Sequence, residues 1–269
     1  MRRILTALAG IPILFLIIKY LPPAVFMALA GAAVVLGCLE LYRLAERRGW
    51  RPHRWLGAAM ALATVYSFFD SRLPTLDVLC AATLLALVAS LVRARHGGSS
   101  LEGELEAMAI TLFGVLFPGL MMGYCLALLR DGGELGRDLT VLLFWVVWLA
   151  DAGALATGKL WGRTRLMPGI SPGKTVAGAI GALAVAMAAT LTARAWFFTR
   201  LALHDAIALG LLLGAAGMVG DLSESLMKRA AAVKDSGVLF PGHGGMLDRT
   251  DSLLFAAPVL FYYHKYFMG

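Results

Sequence analysis

Charged residues are scarce in this sequence. Asp, Glu, Lys and Arg make up 15% of its 269 residues, whereas hydrophobic residues make up 59%. The mean hydropathy is +0.77. This composition excludes an ordinary soluble domain, and the long apolar runs indicate an integral membrane protein.

Cysteine is scarce as well. The three cysteines, Cys38, Cys80 and Cys125, all lie in apolar runs, and no Cys-x-x-Cys pair occurs. An odd number of cysteines without paired spacing argues against a disulfide framework and against a zinc site. We interpret all three as small hydrophobic residues of the core.

The apolar runs predict an all-α, polytopic integral membrane protein with about nine transmembrane helices, of which the third, eighth and ninth are shorter than the roughly 20 residues that cross a bilayer. The first run is interpreted as a retained helix, because no small-residue cleavage site precedes Lys19. The eighth run is short but can continue through Leu226. The runs lie at Ile4–Ile18, Ala24–Leu41, Leu56–Phe69, Leu76–Val92, Ala107–Leu129, Leu139–Ala156, Val176–Phe198, Ala206–Met218 and Leu253–Phe267.

The net charge of +7 comes from basic residues that are unevenly distributed between the two predicted sides of the membrane. With nine spans and a cytoplasmic N-terminus, 17 of the 24 basic residues fall on the cytoplasmic side and 7 on the opposite side. This bias is the one that the positive-inside rule describes. The basic charge is therefore interpreted as a topology signal that also attracts anionic lipid headgroups, and no nucleic-acid partner is expected.

No internal repeat or low-complexity linker divides the chain. We expect a single membrane domain over residues 1–269, with a helical scaffold half (1–140) and a catalytic half (141–269). Two charged loops, 158–175 and 228–251, lie in the catalytic half, and the charge bias places both in the cytoplasm.

The second loop and the helix before it hold two groups of carboxylates. Helical spacing puts Glu224, Ser225 and Lys228 on the same face as Asp221, and the other pair, Asp248 and Asp251, is three residues apart. A carboxylate at the edge of the hydrocarbon is costly unless it is paired, hydrated or metal-bound. An ion pair of Asp221 with Lys228 or Arg229 is the structural alternative.

Several carboxylates beside basic residues suit a magnesium ion that works on phosphates. The residues favour Asp221, Asp248 and Asp251 as metal ligands, and the phosphate-binding cations would be Lys228, Arg229, Lys234 and Arg249. The glycine-dense turn at 241–245 could bring backbone amides close to phosphate. His243 in that turn is a general base, a turn residue or a hydrogen-bond donor. A phosphate nucleophile is already ionised near neutral pH, which favours the last two.

The first loop contains the sequence PGISPGKT, which resembles a Walker A motif but has the wrong glycine spacing for one. Ser171, Lys174 and Thr175 remain candidates for phosphate contacts at a helix start. Asp151 is a lone carboxylate in an apolar helix. It is either a structural partner of Lys159 or the nearby basic loop, or part of the wall of an active site.

Taken together, these elements resemble the phosphatidate cytidylyltransferases, also called CDP-diacylglycerol synthases. The long motif matches at Ser225, Lys228, Arg229, Lys234, Asp235, Pro241, Gly242, His243, Gly244, Gly245, Asp248, Arg249 and Asp251, after a Gly-Asp-x-x-Glu-Ser element at 220–225. The upstream elements match at Asp151, Gly153, Ala154, Gly162, Arg163, Ser171, Pro172, Lys174, Thr175 and Gly178. Two positions depart from them: Gly173 stands where the family has lysine, and Ala177 where it has glutamate.

The resemblance implies an enzyme that condenses CTP with phosphatidate to CDP-diacylglycerol and pyrophosphate. It also implies a homodimer in a bacterial-type inner (plasma) membrane, a cytoplasm-facing site, and Mg²⁺ with a second cation. The implied catalytic residues are Asp221, Lys228, Arg229, Asp248 and Asp251. The implied substrate-binding residues are Ser171, Lys174, Thr175, Ser225, Lys234, Asp235, His243, Gly244, Gly245 and Arg249. The alternatives are a related CTP-using lipid enzyme, such as a polyprenol kinase, and a transporter for an anionic solute.

Overall fold

The computed structural model describes residues 12–97, 100–130, 133–234, 236–237 and 244–268, and these residues are nearly all α-helical. A helical stretch at 12–20 is α1. The remaining helices are α2 (Pro23–Glu46), α3 (Arg54–Phe69), α4 (Thr75–Arg95), α5 (Leu101–Gly114), α6 (Met121–Arg130), α7 (Gly133–Trp161), α8 (Val176–Trp196), α9 (Leu203–Ala230) and α10 (Leu247–Tyr263). Short π-helical segments follow α5 (Val115–Leu120) and α10 (His264–Met268).

Six helical segments within the described residues are long and apolar enough to cross a membrane. They are α2, α4, the continuous segment Leu101–Arg130, α7, α8 and α9. At 16 residues, α3 is about 24 Å long, which is shorter than the roughly 30 Å hydrocarbon core. At 17 residues, α10 is also short. The structure therefore supports a multi-pass membrane protein, and the count of about nine spans stays a prediction.

A β-hairpin departs from the all-α prediction. Among the described residues, the only strands are β1 (Arg165–Met167) and β2 (Ser171–Thr175), which pair antiparallel. Between them the turn at 168–170 contains a proline and a glycine, and the Ile170 amide donates to the Met167 carbonyl at 3.1 Å. Proline and glycine favour such a tight reversal. The hairpin delivers the chain directly into α8, whose N-cap is Thr175.

The chain divides into two compact units. The first comprises Met1–Pro23, Leu128–Leu226 and Asp251–Gly269. Within it, α8 and α9 approach closely through small residues, since a methyl group on Gly210 would lie 2.6 Å from the Met187 Cα atom. Small residues permit this close packing, which is how helices associate in a bilayer, where the hydrophobic effect does not favour helix association.

The second unit comprises Ala24–Ala127 and Met227–Thr250. Its core holds Tyr42, which is fully buried and donates a hydrogen bond of 2.8 Å to the Thr111 carbonyl. The ring fills space left by Gly57 and Gly114, where a methyl group would collide with it. A buried tyrosine hydroxyl needs such an acceptor, and this one joins α2 to α5.

The C-terminus of α9 ends in a Schellman motif with an alanine at the left-handed position. The Val233 amide donates to the Lys228 carbonyl at 2.9 Å, and the Ala232 amide donates to the Arg229 carbonyl at 3.0 Å. Ala232 has a φ of 56°, in the region that favours glycine. The backbone at this point is therefore strained.

We expect Ala232→Gly to raise the free energy of unfolding by up to about 1 kcal/mol, because glycine removes this strain. A rise in the thermal unfolding midpoint of the detergent-solubilised protein is the measurement. The matched control is Ala230→Gly in the last helical residue, which should lower the midpoint. A lower midpoint for Ala232→Gly would show that the alanine is not strained there.

Candidate functional site

Three carboxylates meet in the first unit. Asp221 and Glu224 lie on α9, Asp251 lies on α10, and each offers an oxygen within 4.8 Å of the others. Glu224 is 1% exposed and Asp251 is 8% exposed. We call these three residues the acidic cluster. Metal binding by Asp221 and Asp251 remains a prediction.

The acidic cluster forms because α9 and α10 cross closely at Gly220. A methyl group on this glycine would lie 3.0 Å from the Asp251 carbonyl carbon. The absence of a side chain therefore lets the two backbones approach beside Asp221, the next residue. Helical spacing then puts Glu224 on the same face as Asp221. The local sequence Gly-Asp-x-x-Glu thus creates the crossing and supplies two of its three acids.

A lysine forms an ion pair with the acidic cluster. Lys174, on β2 of the hairpin, places its Nζ 2.6 Å from Oδ2 of Asp221. Asp151 of α7 also interacts electrostatically with Asp221 and with Lys174. Asp151 and Lys174 therefore lie in the same region as the acidic cluster. Carboxylates this close repel one another, and a bound cation would relieve that repulsion.

The donor set suits a hard divalent cation. All three residues of the acidic cluster offer carboxylate oxygens, the ligands that Mg²⁺ and Ca²⁺ prefer. The side chain of Asp221 is 40% exposed, so the cluster has an open edge at this residue. Mg²⁺ usually keeps several waters and binds through one or two carboxylates together with substrate phosphates. The residues present therefore fit such an ion.

In the second unit, Asp248 accepts four described hydrogen bonds. Lys228 Nζ donates to Oδ1 at 2.5 Å. The other oxygen accepts from the Ser236 hydroxyl at 2.7 Å, the Ser236 amide at 3.1 Å and the Gly245 amide at 2.8 Å. Asp248 therefore ties α9 to the segment that precedes α10, and its role as a metal ligand remains a prediction.

The Gly245 amide of the glycine-dense turn and the two amides that follow it donate to carboxylates of the protein. The Gly245 amide donates to Asp248, as given above, while the next two amides, of Met246 and Leu247, donate to Glu40. Gly244 has a φ of 77°, a conformation that favours glycine. The Gly245 amide, which the sequence suggested for phosphate, therefore donates to a carboxylate in this structure. Asp235 and His243 lie outside the described residues.

The other residues of the sequence-based site differ in exposure. Ser225 is buried, Ser171 is half-buried, and the basic residues Arg229, Lys234 and Arg249 are exposed. Thr175 is buried, and its hydroxyl accepts a hydrogen bond of 3.1 Å from the Gly178 amide. This contact caps α8 and positions Lys174, its neighbour in sequence. Substrate binding by these residues remains a prediction.

Two acidic residues were not assigned a role from sequence. Glu224 is visible by its helical spacing from Asp221, yet only the close approach at Gly220 shows that it joins Asp251. Glu40 lies within the predicted span Ala24–Leu41. The signal that could have found it is a lone carboxylate inside an apolar run, which is a functional-site hypothesis by default.

Comparison with known proteins adds family information to this geometry. The chain matches the model of the Cytidylyltransferase family over residues 1–267. It is 31% identical over 267 residues to the phosphatidate cytidylyltransferase of Bacillus subtilis, and the alignment covers 97% of this chain and 96% of that protein.

Two further relatives carry the same name. The phosphatidate cytidylyltransferase of a Synechocystis species is 47% identical over 130 residues, 48% of this chain and 43% of that protein. The phosphatidate cytidylyltransferase of Staphylococcus saprophyticus is 38% identical over 152 residues, 56% of this chain and 57% of that protein. In these two alignments the chain spans about half the length of the relative.

Proposed function

The chain belongs to the cytidylyltransferase family, and from that premise we propose that it is a phosphatidate cytidylyltransferase. Its reaction would join CTP and phosphatidate to form CDP-diacylglycerol and pyrophosphate. The observation that carries this proposal is the acidic cluster of Asp221, Glu224 and Asp251 with Lys174 beside it. This combination of carboxylates and a cation suits phosphate chemistry.

The proposed reaction is a displacement at phosphorus. An oxygen of the lipid phosphate forms a bond to the α-phosphorus of CTP. The bond from that phosphorus to the oxygen bridging the β-phosphate breaks, and its electron pair leaves with pyrophosphate. The second pKa of a phosphate monoester is about 6, so the nucleophile is already largely ionised at neutral pH. The chain therefore needs no side chain to remove a proton.

The chain's main task is to hold and neutralise phosphate groups. Asp221, Glu224 and Asp251 would hold Mg²⁺, and Asp248 and a second cation belong to the same proposal. When bound, the cations stabilise the charge on the attacking and departing oxygens. The proposed phosphate-binding cations of the chain are Lys174, Lys228, Arg229, Lys234 and Arg249. The proposed substrate contacts also include Ser171, Thr175, Ser225, Asp235, His243, Gly244 and Gly245.

We expect Lys174→Ala to reduce kcat/KM at least about tenfold, which corresponds to about 1.4 kcal/mol. Lys174 is a cation beside the acidic cluster, and Gly173 leaves it without the neighbouring lysine of the family motif. A methyl group at Gly173 would meet nothing within 4 Å. Gly173→Lys in the Lys174→Ala background should therefore fold and recover part of the loss.

The matched control for Lys174→Ala is Arg165→Ala, which removes an exposed cation from β1 of the same hairpin. This variant should keep nearly the full kcat/KM. An unchanged kcat/KM for Lys174→Ala would instead mean that the hairpin serves a structural role, and that other basic residues hold the substrate phosphates.

The same proposal includes the membrane orientation, the nine spans, the homodimer, and the single membrane domain with its catalytic half at 141–269. Both charged loops would face the cytoplasm, where CTP is available. In a variant whose three cysteines are replaced, Thr164→Cys and Lys234→Cys provide exposed probes on these loops. Neither should react with an impermeant thiol reagent added to intact cells, whereas Ser71→Cys on the opposite side should react. Labelling of both loop probes from outside would contradict the orientation.

The experiment that tests the proposed activity uses the purified protein with CTP and Mg²⁺ in detergent micelles that contain a lipid acceptor. Phosphatidate and a polyprenol are supplied in parallel reactions. Formation of CDP-diacylglycerol from phosphatidate, with no product from the polyprenol, is the expected result. Turnover of the polyprenol alone would support the kinase alternative instead.

A further inference from the structure

Glu40 is an acidic residue in α2, a helix long and apolar enough to cross a membrane. It is 3% exposed. A buried carboxylate is costly unless its oxygens are satisfied. The described donors to this carboxylate all belong to the segment leading into α10.

Three described donors reach the Glu40 carboxylate. The Met246 amide donates to Oε1 at 2.9 Å, and the Leu247 amide donates to Oε2 at 2.8 Å. The Ser236 hydroxyl lies 3.2 Å from Oε2 and 2.7 Å from Oδ2 of Asp248, so its single proton is shared between two carboxylates. Glu40 thus caps the N-terminus of α10, where amides lack helical partners and negative charge is stabilising.

The surrounding residues leave room for this contact. A methyl group on Gly237 would lie 2.6 Å from Oε1 of Glu40, and a methyl group on Gly245 would also collide with the carboxylate. One turn earlier on the same face of α2, Gly37 faces the side chain of Leu247. Leu247 is fully buried, so α2 holds both its amide and its side chain.

We propose that Glu40 is a positioning residue for the reaction, acting from α2 on the motif segment around Ser236 and 244–248. It fixes the backbone at Met246 and Leu247, and it shares the Ser236 hydroxyl with Asp248. Through these contacts it sets where Asp248 and the Gly245 amide lie. The inference rests on the proposed function for its link to turnover, whereas its effect on the segment is measurable without turnover.

The test compares Glu40→Gln with Glu46→Gln, a matched change at an exposed residue of the same helix. A glutamine side chain has one acceptor oxygen, so it can accept from only one of the Met246 and Leu247 amides in this geometry. Its NH₂ group would then face the other amide, donor against donor. Hydrogen–deuterium exchange of the peptide containing Met246 and Leu247 should accelerate at least roughly tenfold in Glu40→Gln and stay unchanged in Glu46→Gln. Unchanged exchange in Glu40→Gln would overturn the proposal.

Turnover provides the second measurement. In Glu40→Gln, kcat should fall at least roughly tenfold at a temperature at which the protein remains folded, and Glu40→Asp should recover part of it. Ser236→Ala should lower kcat in the same direction. Loss of thermal stability with wild-type kcat would assign Glu40 a structural role only. If the wild type itself turned over no CTP, the proposed function would fail, and exchange would still decide whether Glu40 holds the segment.

Discussion

Asp221→Asn is expected to lower kcat by at least about a thousandfold while the protein still inserts and folds. The side chain keeps its shape but loses the charge that faces Lys174 at 2.6 Å and that contributes to the acidic cluster. An amide is a weaker ligand for Mg²⁺, so the residual activity should need more magnesium. Titration of kcat against magnesium concentration is the measurement.

The control for Asp221→Asn is Asp205→Asn on the same helix. Asp205 is a buried carboxylate that accepts a hydrogen bond of 2.8 Å from Tyr263. It lies sixteen residues before Asp221, about 24 Å along the helix. Asp205→Asn should lower the thermal midpoint and leave the magnesium dependence unchanged. Wild-type turnover by Asp221→Asn at limiting magnesium would remove Asp221 from the proposed metal site.

Asp248→Asn is expected to lower kcat/KM at least about a hundredfold and also to lower the thermal midpoint. All four described contacts of the Asp248 carboxylate come from hydrogen-bond donors. An asparagine retains one acceptor oxygen, so in either amide orientation an NH₂ group faces a backbone amide or the Lys228 ammonium. The substitution therefore disturbs the motif segment in addition to removing charge.

Two measurements separate the roles of Asp248. If Asp248 also binds magnesium, the loss in Asp248→Asn is partly reversed at high magnesium concentration. If it only holds Ser236 and Gly245, added magnesium restores nothing, and Ser236→Ala reproduces part of the defect. Full activity of Asp248→Asn with an unchanged thermal midpoint would contradict both roles.

The helical part of this fold was predictable because the length of each apolar run can be read from the sequence. The eighth run is an example, since α9 continues past Leu226 to Ala230, carrying Asp221 and Glu224 on a single helix. The hairpin at 165–175 was not predicted. Its strands are short, and a turn proline and glycine between helices are equally compatible with an irregular loop.

The site was only partly predictable for a different reason. The spacing of Asp221, Glu224, Asp248 and Asp251 shows which residues share a helical face, but not which helices cross. The crossing at Gly220 depends on a close backbone approach, which a lone glycine does not reveal. The contact of Glu40 with the Leu247 amide joins residues 207 positions apart, and no local pattern encodes such a pair.

The measurement that tests the central claim most directly follows the label from CTP into products. Two parallel reactions contain phosphatidate and Mg²⁺, one with CTP labelled at the α-phosphate and the other with CTP labelled at the γ-phosphate. The proposed displacement predicts that the α-label enters the lipid product and that the γ-label appears only in pyrophosphate. Transfer of the γ-label to the lipid would show a kinase, and it would contradict the assignment of the chain as a phosphatidate cytidylyltransferase.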